Sequence, residues 1–228
     1  MKTCCALGQT LHTGGARQRG SFLLEVALVL VAVGALTVAT FEAQSAWRQR
    51  QQQAGAKNIV MAVDAAVRKF VARDRRLPCP ANGASGVEAR GAGGCTSPVG
   101  SVPYATLGME LPSAPGGLTL RYGVTVALAQ PGSEGLMKEA IELAEQPDDG
   151  GSTAAPYLAG PDANGMFANC GSVATNPAYV LMWRPPAGAG VPSVPPLCFR
   201  ESADGSMGVH AVGGLEFLGW LQSAMRAH

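Results

Sequence analysis

A single carboxylate, that of Glu25, lies in an otherwise apolar run that extends from Phe22 to Phe41. A carboxylate at the edge of a hydrocarbon layer costs roughly 2.5–3.5 kcal/mol, so its presence indicates a specific role. Gly20 lies five residues before it, at the end of a short polar stretch. This arrangement points away from catalysis and towards a subunit that is processed, held in a membrane and then assembled.

Six cysteines could form disulfide bonds or hold a metal ion, at positions 4, 5, 79, 95, 170 and 198. The last four are an even number and include no Cys-x-x-Cys pair, so we expect disulfides in an oxidising compartment rather than a zinc site. Of three connectivities we favour the nearest neighbours, Cys79–Cys95 and Cys170–Cys198, and the sequence leaves the others open. A loop as short as the first would contribute about 3 kcal/mol in the chain-entropy model.

Hard oxygen ligands of the kind that calcium prefers occur at Asp162 and Asn164. The turn chemistry of Asp-x-Asn-Gly explains these residues just as well, so calcium stays a candidate and we expect no other cofactor. We expect no catalytic role for His210, which lies in a predicted strand. The sequence contains no Gly-x-Ser-x-Gly elbow, phosphate loop or His-Glu-x-x-His motif. It therefore predicts a protein that is not an enzyme.

Composition excludes some partners and divides the chain into two parts. Only 14% of the 228 residues are charged and the net charge is +1, which argues against nucleic acid as a partner. All 16 prolines lie at or beyond Pro78. The front of the chain can therefore form one long helix, whereas the back consists of turns and short elements.

The front half predicts a helix over about residues 21–76. Its apolar run, 22–41, would be about 30 Å long, which matches the hydrocarbon thickness of a bilayer and predicts a membrane span. Apolar residues then recur at spacings of three and four from Ile59 to Phe70, which predicts an amphipathic helix that packs on the following domain. The cysteines favour an inner-membrane, single-pass location with the C-terminal part in the periplasm.

The back half predicts a small α+β head with an antiparallel sheet, in which disulfides compensate for a thin core. Strands are predicted at 118–128, 178–183 and 207–212, and helices at 137–146 and 214–226. The last helix would place Leu215, Leu218, Leu221 and Met225 on one apolar side.

Residues 17–41 resemble the N-terminal cleavage and methylation segment of type IV pilins and of the pseudopilins of type II secretion. Gly20 matches the last leader residue, Ser21 the new N-terminus, Phe22 an apolar position and Glu25 the signature acid. The resemblance implies that prepilin peptidase cuts after Gly20 and that the amine of Ser21 is then methylated. It also implies that Phe22 and Glu25 act in assembly, where the carboxylate pairs with the amine of a neighbouring subunit.

The resemblance implies four segments: a leader (1–20), a transmembrane and filament-core helix (21–41), an amphipathic helix (42–76) and a globular periplasmic head (77–228). The leading hypothesis is a minor pilin or pseudopilin, stored in the inner membrane and added to a periplasmic or surface filament. Its partners would be other pilins or pseudopilins, prepilin peptidase, the inner-membrane assembly platform and, before assembly, membrane lipid. The alternative is a membrane-anchored periplasmic binding, adhesion or DNA-uptake module with no filament role; only DNA uptake would bring in nucleic acid.

Overall fold

The computed structural model describes residues 18–111, 117, 119–130, 133–145, 152–184 and 196–226. The chain divides into two compact units, Met1–Arg48 and Gln49–His228. The division falls inside the first helix, α1, which extends over Gln18–Asp74. Residues 1–17 of the predicted leader lie outside the described residues.

Helix α1 is 57 residues long and agrees with the helix predicted over 21–76 to within three residues at either end. It can be this long because no proline interrupts it. Arg75 follows the helix in a left-handed conformation, with φ of 54°, and its N–H donates to the carbonyl of Val71 at 2.9 Å. This is an αL cap formed without the usual glycine.

The structure contradicts the predicted membrane span over 21–41. A span needs about 20 consecutive apolar residues in one helix. Within the part of the chain that the structure describes, no helix meets the length and apolarity that crossing a membrane requires. The transmembrane part of the predicted fold class was therefore wrong, and so was the predicted inner-membrane, single-pass location with a periplasmic head.

Among the described residues, the strands form three sheets. A hairpin joins β1 (Arg90–Gly91) to β2 (Gly94–Cys95). The four-stranded sheet is antiparallel, in the order β3-β4-β7-β9, and its strands are Val99–Ser101, Thr119–Val124, Tyr179–Arg184 and Gly208–Val212. The three-stranded sheet has the order β6-β5-β8, and its strands are Phe167–Thr175, Tyr157–Pro161 and Cys198–Phe199.

The head is α+β, as predicted, and its four-stranded sheet is the predicted antiparallel sheet. The three-stranded sheet was not predicted, and it is mixed because β5 and β8 pair in parallel. The described part of the head also contains the helices α2 (Ser133–Glu145) and α3 (Gly214–Arg226). Gly214 allows α3 to begin against α2, since a Cβ there would lie 2.8 Å from the backbone nitrogen of Ala144.

The part of α1 that belongs to the second unit, residues 49–74, is called the second part of α1. The main core lies between this part, one face of the four-stranded sheet, and helices α2 and α3. Val63 and Val67 of α1 are fully buried there, as the spacing of apolar residues predicted. Alternate residues of a strand face opposite sides of a sheet. Tyr179 of β7 accordingly lies in the main core, whereas Val180 packs against Phe199 of β8 on the other face.

The predicted apolar side of α3 was partly wrong. Leu221 is buried as expected, and so is Phe217, a residue that the sequence allowed as an extension of the apolar side, at 1% exposure. Leu215, however, is 74% exposed. The predicted strand at 118–128 is also shorter than expected, because β4 ends at Val124 and a 3-10 turn follows over Val126–Ala129.

Candidate functional site

The first part of α1 presents an exposed apolar surface, which we call the apolar segment (residues 24–36). Eight of its large aliphatic side chains are between 40% and 73% exposed: Leu24, Val26, Leu28, Val29, Leu30, Val31, Val33 and Leu36. They lie on all sides of the helix rather than on one stripe. An exposed apolar surface of this extent is typical of an interaction site.

Glu25 is the only charged residue of the apolar segment, and it is exposed. Among the described residues, it forms no ion pair. Gly20, Ser21 and Phe22 belong to α1, but the side chains of Ser21 and Phe22 lie outside the described part of the structure. The site predicted at Gly20, Ser21, Phe22 and Glu25 is therefore contiguous along one helix, and its proposed roles remain predictions.

Two threonines that follow the apolar segment form hydrogen bonds from their hydroxyl groups to carbonyl groups of the same helix. Thr37 Oγ1 donates to the carbonyl of Gly34 at 2.8 Å, and Thr40 Oγ1 donates to the carbonyl of Thr37 at 2.8 Å. A hydroxyl that already donates to its own helix costs less free energy to remove from water than a hydroxyl without a partner. This part of α1 is thus suited to a dry contact.

The second part of α1 is held to the head by polar contacts around one buried acid, the Asp64 cluster (Asp64, Arg68, Tyr179, His210 and Glu216). Asp64 is 6% exposed. Its Oδ1 accepts a hydrogen bond from the Tyr179 hydroxyl and lies 3.1 Å from His210 Nε2, and its Oδ2 accepts from Arg68 Nε at 2.9 Å. A second nitrogen of Arg68 donates to Glu216 Oε1 at 2.8 Å.

The Asp64 cluster favours one protonation state for Asp64 and one for Tyr179. Burial alone would raise the pKa of Asp64, but hydrogen bonds from His210 and Tyr179 and the charge of Arg68 outweigh it and lower this pKa to about 2. Burial and the bond to Asp64 raise the pKa of the Tyr179 hydroxyl above its usual value. The tyrosine therefore stays a neutral donor to an ionised acid.

The geometry of the Asp64 cluster is that of a structural junction. It joins α1 to β7, β9 and α3, and it uses His210, which the sequence placed in a strand without a role. In the sequence, Asp64 and Arg68 each follow directly after a valine of α1, Val63 and Val67. Their i,i+4 spacing beside buried valines was the available signal for an internal ion pair.

A second, partly buried ion pair lies where α1 ends. Arg76 donates to both carboxylate oxygens of Glu88, at 2.6 and 2.8 Å, and the backbone N–H of Cys79 donates to Glu88 at 3.0 Å. A two-pronged arginine–carboxylate contact is among the stronger charged hydrogen bonds. Glu88 therefore fixes the chain immediately before the first disulfide.

The structure contains both preferred disulfides. Cys79 bonds to Cys95, 16 residues further along the chain, and Cys170 bonds to Cys198, 28 residues further along. The second links β6 to β8, which lie on opposite sides of β5.

The calcium candidates, Asp162 and Asn164, form a turn between β5 and β6. Asp162 Oδ1 accepts hydrogen bonds from the backbone N–H groups of Asn164 and Met166, at 2.8 and 3.0 Å. Gly165 supplies the positive φ, 79°, that the turn requires. Within the described residues, no group of three or more metal-ligating side chains occurs.

Comparison with known proteins gives no relative from which to transfer a function. No protein-family model, no curated protein and no solved structure matches the chain.

Proposed function

We propose that this protein is a structural subunit of a filament, a minor pilin or pseudopilin of the type IV pilus or type II secretion class. In this proposal prepilin peptidase removes residues 1–20, and the protein assembles through α1. The observation that carries the proposal is the exposed apolar segment of α1 with one acid, Glu25, five residues after Gly20.

The apolar segment supports assembly because its exposed side chains are stabilised when another apolar surface buries them. Burying a valine or leucine side chain stabilises by about 1.5–3 kcal/mol, and eight such side chains are exposed here. Helices of other subunits that are apolar on all sides in the same way would bury these side chains. The hydroxyls of Thr37 and Thr40 are compatible with this burial because they already donate hydrogen bonds within the helix.

Glu25 would supply specificity to this contact. Once neighbouring helices exclude water, its carboxylate needs a positive partner, and the new amine of Ser21 in an adjacent subunit is a suitable one. A buried pair of this kind adds little net stability over an apolar contact, but losing one partner is strongly destabilising. The pair would therefore set the axial register of the subunits.

The experiment that tests the proposal is done in the native host. We expect the intact mass of the extracted protein to show loss of residues 1–20, a methyl group on Ser21 and two disulfides. We expect Glu25→Gln to be cleaved normally but to enter filaments at least about 100-fold less, because an unpaired buried charge costs about 3–5 kcal/mol. The measurement is the ratio of protein in the filament fraction to total protein.

Glu142→Gln is the matched control, since Glu142 is an exposed acid on α2 with its side chain 53% exposed. It should leave the filament ratio unchanged. Incorporation of Glu25→Gln at the wild-type level would refute the register role. A protein that keeps its first 20 residues and never co-purifies with filament components would refute the whole proposal and favour a binding module.

A further inference from the structure

A cleft of about 540 Å³ lies beside strands β3, β4 and β7 of the four-stranded sheet. Its volume falls within the range of about 300–1,000 Å³ that is usual for small-molecule sites. Its polar side chains include Asn82, Ser101, Thr119, Arg121 and Arg184, and none of the described residues that line it is acidic. The cleft is thus positive and without an internal counter-ion.

The strand register brings the two arginines together. Thr119 pairs with Arg184 across β4 and β7, and Arg121 pairs with Met182. Residues two apart on a strand share a face, so Arg121 and Arg184 are diagonal neighbours on one face of the sheet. Arg184 Nε also donates to Thr119 Oγ1 at 3.4 Å.

Arg121 is held in place but is not neutralised. Its guanidinium lies over the ring of Phe199, with 4.6 Å from Cζ to the ring centre, and donates to the carbonyl of Cys198 at 2.9 Å. Burial, and then the charge of Arg184, lower the pKa of Arg121 to about 10. Within the described part of the chain, no carboxylate forms an ion pair with either arginine.

We propose that this cleft binds a small oxyanion, a carboxylate or phosphate group, between Arg121 and Arg184. Two close cations repel each other, and an oxyanion between them removes the repulsion. A guanidinium carries five N–H donors, of which Arg121 uses one for Cys198. The planar fork of arginine suits carboxylate and phosphate oxygens, which accept two hydrogen bonds at once. This proposal does not depend on filament assembly.

The competing explanation is that Arg121 serves only the fold, by stacking on Phe199 and holding β8. That explanation gives no reason for Arg184, which is exposed, to lie beside it. The two explanations differ in what they predict for Arg184→Gln. If Arg121 serves only the fold, the wild type does not bind the anion and the substitution changes nothing. If the cleft is a binding site, the substitution weakens the affinity for the anion and leaves the fold unchanged.

The test is calorimetric titration of the purified full chain, held in a neutral detergent that covers the apolar segment. Inorganic phosphate and succinate are titrated separately, so that the preferred oxyanion is identified. We expect one of them to bind, and Arg184→Gln to weaken the affinity about tenfold, since a hydrogen bond to a charged group is typically worth a factor of this size. Arg121→Lys keeps the charge, loses the fork and should also weaken binding.

Arg226→Gln is the charge-matched control, because Arg226 is exposed at the end of α3. It should bind like the wild type. Binding of neither anion at millimolar concentration would overturn the proposal, and so would an unchanged affinity in Arg184→Gln. An equal loss in Arg226→Gln would also overturn it, because it would show general attraction to a positive protein. Should Arg121→Lys fail to fold, Arg184→Gln alone decides.

Discussion

Replacing Asp64 by asparagine removes the buried charge from the Asp64 cluster while it preserves the size of the side chain. The amide oxygen can still accept a hydrogen bond from Tyr179. The amide nitrogen, however, replaces Oδ2 and faces Arg68 Nε, so that donor meets donor where the wild type has a 2.9 Å ion pair. Arg68 then keeps only Glu216 as an acidic partner.

The expected loss of stability can be estimated from the pKa of Asp64. Folding lowers this pKa from 3.8 to about 2, which corresponds to about 2.5 kcal/mol of stabilisation by the ionised form. Because the folded-state pKa is depressed, this contribution is complete above the unfolded-state value and is lost as the pH falls through about 2. Arg68 also loses its contact with Asp64, which adds to this loss. We therefore expect Asp64→Asn to be about 3 kcal/mol less stable than the wild type at neutral pH.

Urea unfolding followed by tryptophan fluorescence, from neutral pH down to about pH 2, measures the effect. The difference in the free energy of unfolding between the wild type and Asp64→Asn should narrow as the pH falls below 3.8. Asp74→Asn is the control, because Asp74 forms only a surface pair with Arg73; its effect should stay within about 0.5 kcal/mol. A stability difference that is small at neutral pH, or that does not change with pH, would refute the reasoning.

Three further variants test packing and covalent stabilisation. Gly208→Ala should destabilise by about 1–3 kcal/mol, because its Cβ would lie 1.9 Å from Cζ2 of Trp183. Gly219→Ala, at a helical site with open space, should be neutral or stabilising, and equal effects in urea unfolding would contradict this explanation. The double substitution of Cys79 and Cys95 by serine should cost about 3 kcal/mol in the same assay, whereas a cost near zero would contradict the loop-closure argument.

The helices and the central strands could be predicted because their apolar patterns are strong. The second part of α1 has valines at helical spacing, and β7 is a short buried run that ends before prolines. Both were assigned within a few residues. The helix α3 was located correctly, but its buried side could not be read from periodicity alone, since Phe217 and Leu215 are two residues apart and only packing decides between them.

The three-stranded sheet was missed because its sequence carries no periodic signal. Strand β6 is rich in small and polar residues, and its pairing with β5 is interrupted by three register shifts. Gly160 in β5 fits Ser172 so closely that a Cβ there would lie 2.0 Å from its hydroxyl oxygen. A contact of this kind depends on residues that are not neighbours in the sequence, so no local pattern predicts it. Tyr179 and His210, the distant partners of Asp64, were missed for the same reason.

The contacts of Glu88 also bear on what the first disulfide adds to the head. The Glu88 carboxylate accepts hydrogen bonds from Arg76 and from the Cys79 amide, and its own N–H donates to Thr106 Oγ1 at 2.9 Å. None of these bonds involves a sulfur atom. We therefore expect them to keep this turn in its native geometry when Cys79 and Cys95 are reduced, so that the covalent link would reinforce a bend that polar contacts already hold.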